Sequence, residues 1–296
     1  MDKIFSGTGV ALITPFHANG GIDFRALDTL VKNMHDGNVD FLLALGTTAE
    51  AVTMNSDEKS AVVAQIIDSN EGKLPILLGM GGNNTSQLVK DIKAIDTEGI
   101  DGILSVAPFY NKPNQKGIYM HFKEVANATD LPIMLYNVPG RTASNILPET
   151  ALKLAHDFKN IVAIKEASGN MEQVMELIKY CPSNFRVFSG DDALTMPLMA
   201  IGVHGVISVI ANAYPAAMSE MVNIMLNNGD MNRARELHYS MLDFINAIFA
   251  DGSPAGIKSL LEHKAVVENN LRLPMVKANR AVSNELKRLA NISVLK

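Results

Sequence analysis

Cysteine is almost absent from this chain. Cys181 is the single one in 296 residues, so no disulfide framework can form within it, and a reducing compartment, the cytoplasm, is expected. Charge is also sparse, at 19% of residues. That is below the roughly 25% of an average domain and excludes a solvated, disordered chain. Basic runs are missing: 26 Lys and Arg against 31 Asp and Glu give a net charge of −5. Such a chain lacks the electrostatic footprint for nucleic acid or for an anionic membrane surface. Seven scattered histidines and one cysteine argue against a structural zinc site. The opening MDKIFSGTGVALITPF has neither a basic leader nor an unbroken apolar stretch, so a secretory signal is not expected. Long uncharged runs are few. One, Ala193 to Ser219, is long enough to span a bilayer. Pro197, His204, Asn212 and Pro215 punctuate it, however, and Gly202 and Gly205 split it into a helix-like and a strand-like half. A buried helix–strand pair is therefore expected there.

The 47% of residues that are hydrophobic follow a repeating plan. Short β-branched apolar runs alternate with longer amphipathic stretches. The runs are GVALITP (9–15), FLLALG (41–46), PILLGMG (75–81), GILSVAP (102–108), PIMLYNVP (132–139), IVAIKEA (161–167), FRVFSG (185–190) and GVISVIAN (205–212). They are apolar on both parities, as strands buried on two faces should be. Between them, Asp23 to Gly37 places apolar residues on one helical face, Ser56 is placed to cap a helix that opens with Asp57 and Glu58, and Pro148-Glu149 opens another. Eight strand–helix units predict an α/β fold, a (β/α)8 TIM barrel spanning residues 1–222. Residues 223–296 read as additional C-terminal helices packed on it, since no Gly/Ser- or Pro-rich linker precedes them.

Active sites of such barrels lie where the strands end. Lys165 ends strand six and shares its parity with Ile161 and Ala163, so it is expected to point inward. Desolvation there would depress its pKa and free an amine for Schiff-base chemistry; a lysine snorkelling at the strand end or paired with Glu166 is the alternative. Tyr136 ends the neighbouring strand with inward parity and is either a proton shuttle beside that lysine or a core tyrosine. Thr47 and Thr48 follow a glycine turn and either hold a carboxylate or cap the turn. Arg141, in a Pro-Gly turn, either clamps a carboxylate or is a solvated surface residue. Neither a metal constellation nor the spacing of a serine triad emerges.

Taken in order, GTTAE, PFYNKP, YNVPGRT, IKEAS and SGDD resemble the dihydrodipicolinate synthases, within the pyruvate-dependent class I aldolase family that includes N-acetylneuraminate lyase. The resemblance covers nearly the whole chain. It implies that Lys165 forms a Schiff base with pyruvate, whose enamine attacks aspartate semialdehyde on the diaminopimelate route to lysine. It also implies a proton relay of Tyr136, Thr48 and Tyr110, with Tyr110 reaching in from a neighbouring subunit of a homotetramer. Thr47 and Thr48 would hold the pyruvate carboxylate, Arg141 that of the semialdehyde, and the backbones of Gly190 and Ile207 would line the site. No cofactor is implied. Arg141 favours a synthase over a sialic-acid or keto-deoxy sugar acid lyase, and the complete relay argues against a non-catalytic barrel.

Two departures from the family pattern stand out. Ala49 replaces the usual glycine of the strand-two loop. At the site where many relatives bind lysine, Asn83 is kept, but Gln87 stands for a glutamate, Phe109 for a tyrosine, and Ser56 and Lys59 for histidines. Weak or absent lysine feedback is expected.

Overall fold

The computed structural model describes residues 5–293 and Leu295. Its centre is a closed, wholly parallel barrel in which eight strands pair in chain order and the last pairs with the first. The first half runs β1 (Gly7–Ala11), α1 (Phe24–Asp36), β2 (Phe41–Ala44), α2 (Ser56–Asn70), β3 (Ile76–Gly79), α3 (Thr85–Ala94), β4 (Gly102–Val106) and α4 (Gln115–Ala126). The second half runs β5 (Ile133–Asn137), a single helical turn α5 (Pro139–Thr142), α6 (Pro148–Asp157), β6 (Ile161–Glu166), α7 (Met171–Tyr180), β7 (Arg186–Ser189), α8 (Thr195–Ala200), β8 (Gly205–Ser208) and α9 (Pro215–Leu226). Three further helices follow: α10 (Met231–Phe249), α11 (Ala255–His263) and α12 (Arg280–Ile292). The uncharged run 193–219 is thus α8, β8 and the start of α9. Among the described residues no helix is long and apolar enough to cross a membrane.

Each strand is apolar on both faces because each face meets a different core. Inside the barrel, Phe41, Leu43, Leu77, Leu104, Met134, Ala163, Phe188 and Ile207 form one cluster. The Phe41 ring meets Phe188 edge-on at 5.7 Å. Gly9 makes room for it, since a β-carbon there would lie 2.3 Å from the Phe41 ring. Outside, one cluster joins β1, β2, β3 and β8 to α1, α2, α9 and the three C-terminal helices, and a second joins β4–β7 to α3, α4 and α6–α8. Leu237, Met241, Phe244, Leu260 and Leu286 of the C-terminal helices belong to the same cluster as Val10 and Leu42 of the barrel. Val222 lies inside α9, so the last barrel helix continues to Leu226.

Three local expectations are corrected. The first strand begins and ends earlier than the apolar run 9–15. Leu12 and Ile13 are buried beyond the strand, with the Ile13 N–H donating to Asn212 Oδ1 at 3.1 Å, so the later part of the run marks burial and not strand pairing. The cap of α2 is Asn55, not Ser56: Asn55 Oδ1 accepts from the Glu58 N–H at 2.9 Å, and the Glu58 carboxylate accepts from the Asn55 N–H at 3.1 Å. Finally, Ile161 does not share the face of Lys165. The register steps from Ile133↔Ile161 to Met134↔Ala163, leaving Val162 as an extra residue. That bulge turns Ile161 into the outer cluster with Ile164, while Ala163 lies inside.

Candidate active site

A cavity of about 1450 Å³ opens where the strands end, lined by Thr47, Thr48, Tyr136, Arg141, Lys165 and Gly190 among others. Ile245, Asn246 and Phe249 of α10 form part of its rim. Lys165 is the penultimate residue of β6, its side chain almost wholly buried, 5% exposed. Its register partner on β5 is Tyr136, and its Nζ stands 4.5 Å from the centre of the Tyr136 ring. Burial holds the lysine's pKa down at about 8; the negative charge of Asp192 opposes that shift and the positive charge of Arg141 adds to it. Burial likewise raises the Tyr136 phenol, with the charge of Arg141 and the Thr47 hydroxyl pulling it back. An amine that is half neutral near pH 8, buried at the floor of an open cavity beside a phenol, is suited to attack a carbonyl carbon.

Glu166 is not the partner of Lys165. Its side chain points to the other side of the strand, where it accepts from Asn137 Nδ2 at 2.9 Å, Gln173 Nε2 at 2.9 Å and the Ser168 N–H at 2.7 Å. Asn137 and Glu166 directly follow Tyr136 and Lys165, so this buried network fixes the two strand ends from behind. Asn137 Nδ2 also donates to Asn145 Oδ1 at 2.8 Å, and Asn137 Oδ1 accepts from the Ile146 N–H at 2.9 Å. Those bonds tie down the segment after α5, the turn that carries Arg141.

The threonines sit in a 3-10 turn, Thr47–Ala49, directly after Gly46. Consecutive residues of such a turn point about 120° apart, so the two side chains leave the turn in different directions. Thr47, exposed at the mouth, is the threonine whose hydroxyl lies against the Tyr136 phenol; Thr48 is buried, 6% exposed. The hydroxyl beside the phenol is that of Thr47, whereas Thr48 was the threonine expected there. Ala49 adopts no left-handed conformation; the positive φ in this loop falls on Leu45 and Glu50 instead, so no glycine is required at position 49.

The other expected residues divide. Gly190 closes β7 against Lys165, its N–H donating to the Glu166 carbonyl at 2.8 Å. Ile207 is buried inside the barrel with Tyr136 and Ala163, below the cavity lining. Tyr110 projects from the chain, 87% exposed, with φ of +73°. Phe109, Ser56 and Lys59 line the outer part of the cavity. Asn83 donates to the Phe109 carbonyl at 3.2 Å, and Gln87 to Asp91 at 2.7 Å. Among the described residues no group of three or more His, Cys, Asp or Glu is placed to hold a metal ion.

One further side chain was not singled out by its local sequence. Asp192 is buried, its Oδ2 accepting from the Val209 and Ile210 N–H groups at 3.0 and 2.9 Å, with the Ser208 hydroxyl also beside the carboxylate. Burial raises its pKa. The second aspartate of SGDD was the available signal, but its role depends on β8 folding back against β7.

Residues 4–293 match the Dihydrodipicolinate synthetase family. A 4-hydroxy-tetrahydrodipicolinate synthase of Flavobacterium psychrophilum is 49% identical over 284 residues, covering 96% of this chain and 97% of that one. One of Parabacteroides distasonis is 50% identical, covering 93% and 92%. A solved structure of a monomeric dihydrodipicolinate synthase variant superposes with a TM-score of 0.96 at 37% identity, over 99% of this chain and 98% of that one. Fold, cavity and similarity over nearly the full length agree: the chain belongs to the dihydrodipicolinate synthetase family.

Proposed function

We propose that this enzyme condenses pyruvate with L-aspartate 4-semialdehyde to give 4-hydroxy-tetrahydrodipicolinate, a lyase of lysine and diaminopimelate biosynthesis. The observation that carries the mechanism is the buried Lys165, held at a pKa of about 8 against the Tyr136 ring. Its neutral amine attacks the ketone carbon of pyruvate. The carbinolamine loses water to an iminium, and loss of a methyl proton gives the enamine. The enamine carbon then attacks the aldehyde, whose oxygen takes a proton. The amino group of the former semialdehyde displaces Lys165 from the iminium carbon, closing the ring and freeing the lysine.

Tyr136 and Thr47 pass the protons of these steps, the phenol beside the lysine and the hydroxyl beside the phenol. Thr47 and Thr48 receive the pyruvate carboxylate and Arg141 that of the semialdehyde. Tyr110 completes the relay from a second copy. Its exposure and strained φ support this, since a large exposed aromatic held at positive φ suits a contact outside its own chain. A homotetramer, a dimer of dimers, acting in the cytoplasm fits these features.

The test is pyruvate consumption with aspartate semialdehyde, coupled to an NADPH-consuming reduction of the product. Turnover that disappears in Lys165→Ala supports the reading. Pyruvate trapped on Lys165 by borohydride without turnover would keep the Schiff base and reassign the acceptor to a keto-deoxy sugar acid aldehyde.

A further inference from the structure

Glu50 joins two 3-10 turns, Thr47–Ala49 and Ala51–Thr53, in the left-handed conformation at φ 55°, ψ 31°. Few residues other than glycine, Asn and Asp adopt it without support. Its backbone is bonded in both directions. The N–H donates to the Thr47 carbonyl at 3.1 Å, and the carbonyl accepts from Thr53 N–H at 2.9 Å and Thr53 Oγ1 at 2.8 Å. Its side chain is buried, 3% exposed, and both carboxylate oxygens are taken by the C-terminal helices and the segment that links them. Oε1 accepts from Lys258 Nζ of α11, and Oε2 accepts from the Arg272 N–H at 2.9 Å.

Lys258 is fully buried; it also donates to the Asn270 carbonyl at 2.9 Å and lies 4.2 Å from the Phe16 ring centre. Arg272 grips the same loops from outside. Its guanidinium donates to the Thr53 carbonyl at 3.0 Å, to the Gly20 carbonyl at 2.7 Å and to both Glu58 oxygens at 2.6 and 2.9 Å. Stability alone does not account for the inner pair, because a buried ion pair is often no more stabilising than apolar residues of the same volume. A buried pair does supply direction. The Glu50 carboxylate can satisfy Lys258 and the Arg272 N–H together in one position only, and that position places the Thr47 carbonyl bonded to Glu50.

The geometry points to Glu50 and Lys258 as a positioning pair that sets the Thr47–Thr48 turn, so that the C-terminal helices govern how tightly the site holds the pyruvate carboxylate. This rests on the carboxylate-binding role given above to the two threonines. Removing the ammonium leaves the Glu50 carboxylate with one donor, and it swings away from its place in search of another. That movement carries the Thr47 turn with it while Lys165, on β6, stays in place.

Lys258→Met keeps the length and apolar stem of the lysine and removes its charge. Glu50→Gln combined with Lys258→Met removes both charges, so no carboxylate is left unpaired. Each protein is incubated with a range of pyruvate concentrations, reduced with borohydride, and read by intact mass for the adduct on Lys165, well below its thermal midpoint. Loss of one charge-assisted hydrogen bond to a carboxylate corresponds to about tenfold in affinity or more. The half-saturating pyruvate concentration is therefore expected to rise by about that factor in both variants, with the limiting trapping rate nearly unchanged. The double variant is expected to recover thermal stability without recovering affinity, which a purely structural role would not produce. Half-saturation equal to wild type in the folded double variant overturns the inference. Should neither variant fold, Glu50→Asp decides it: the shortened carboxylate keeps its charge but cannot reach Lys258 from the same backbone position, so weaker pyruvate capture supports the inference and unchanged capture overturns it. Wild-type protein that is not trapped at all would instead remove the Schiff-base reading itself.

Discussion

Gly190 leaves Lys165 the space its side chain occupies: a β-carbon on Gly190 would stand 2.9 Å from Lys165 Cε and 2.8 Å from Ala167 Cβ. The lysine end can move, but the methyl of Ala167 is fixed to its strand. Gly190→Ala is therefore expected to displace the amine and to lower turnover by about tenfold to a hundredfold, since misplacement by about 1 Å can cost that much. Thermal stability should change far less than activity. Unaltered turnover and trapping rate in this variant would mean that the amine has room to spare.

Lys165 should set the alkaline rise of Schiff-base formation. Because the neutral amine is the nucleophile, trapping by pyruvate and borohydride is expected to quicken as pH rises through about 8, and not near the ordinary 10.5. Asp192→Asn removes the negative charge that favours the ammonium, so the midpoint should move to lower pH. A midpoint that moves upward, or stays, would contradict the placement of Asp192. The same shift bears on stability. The unfolded chain holds more protons on this lysine than the folded one between about 8 and 10.5, so stability rises with pH across that window. The stability advantage of Lys165→Met over wild type should shrink over the same interval.

Tyr136→Phe keeps the ring against Lys165 and removes the hydroxyl. Turnover should fall by about a hundredfold or more, the usual contribution of a positioned acid–base group. Pyruvate affinity should change little, because the ring contact and the threonines remain. Steady-state kinetics separate the two. A raised KM with normal kcat would make Tyr136 a binding residue.

Free lysine is expected to inhibit weakly. At the lysine site that the resemblance implies, its ammonium would meet the neutral Gln87, whose amide is already engaged by Asp91 at 2.7 Å, and the like charge of Lys59 on α2. Sub-millimolar lysine should leave initial rates unchanged, while Gln87→Glu together with Lys59→His should make inhibition stronger. Inhibition of the unaltered enzyme at sub-millimolar lysine would refute this.

Strand-end position made much of the site legible in advance. Lys165, Tyr136, Arg141 and Gly190 all lie at or just beyond the ends of β5, β6 and β7, and a barrel brings such residues to one face whatever the loops do. Parity failed only where a bulge intervened, at Ile161, because an inserted residue inverts every side chain before it. Choosing between Thr47 and Thr48 needed the turn itself. Adjacent hydroxyls are equivalent in a string of letters and point about 120° apart in a 3-10 turn.

The sequence by itself determined the fold class and the order of the chemistry. Two-faced apolar runs separated by amphipathic stretches bury both faces in a parallel sheet covered by helices, eight such units make a closed barrel, and the motifs then follow at successive strand ends. The tertiary structure alone decided which distant side chains meet. Lys258 lies 208 residues from Glu50, and its local sequence is that of any helix. Asp192 likewise finds its two donors only when β8 closes beside β7. Such pairings come from packing helices and strand ends into one volume, where an unpaired charge is costly and each buried group must find its partner wherever the chain brings it.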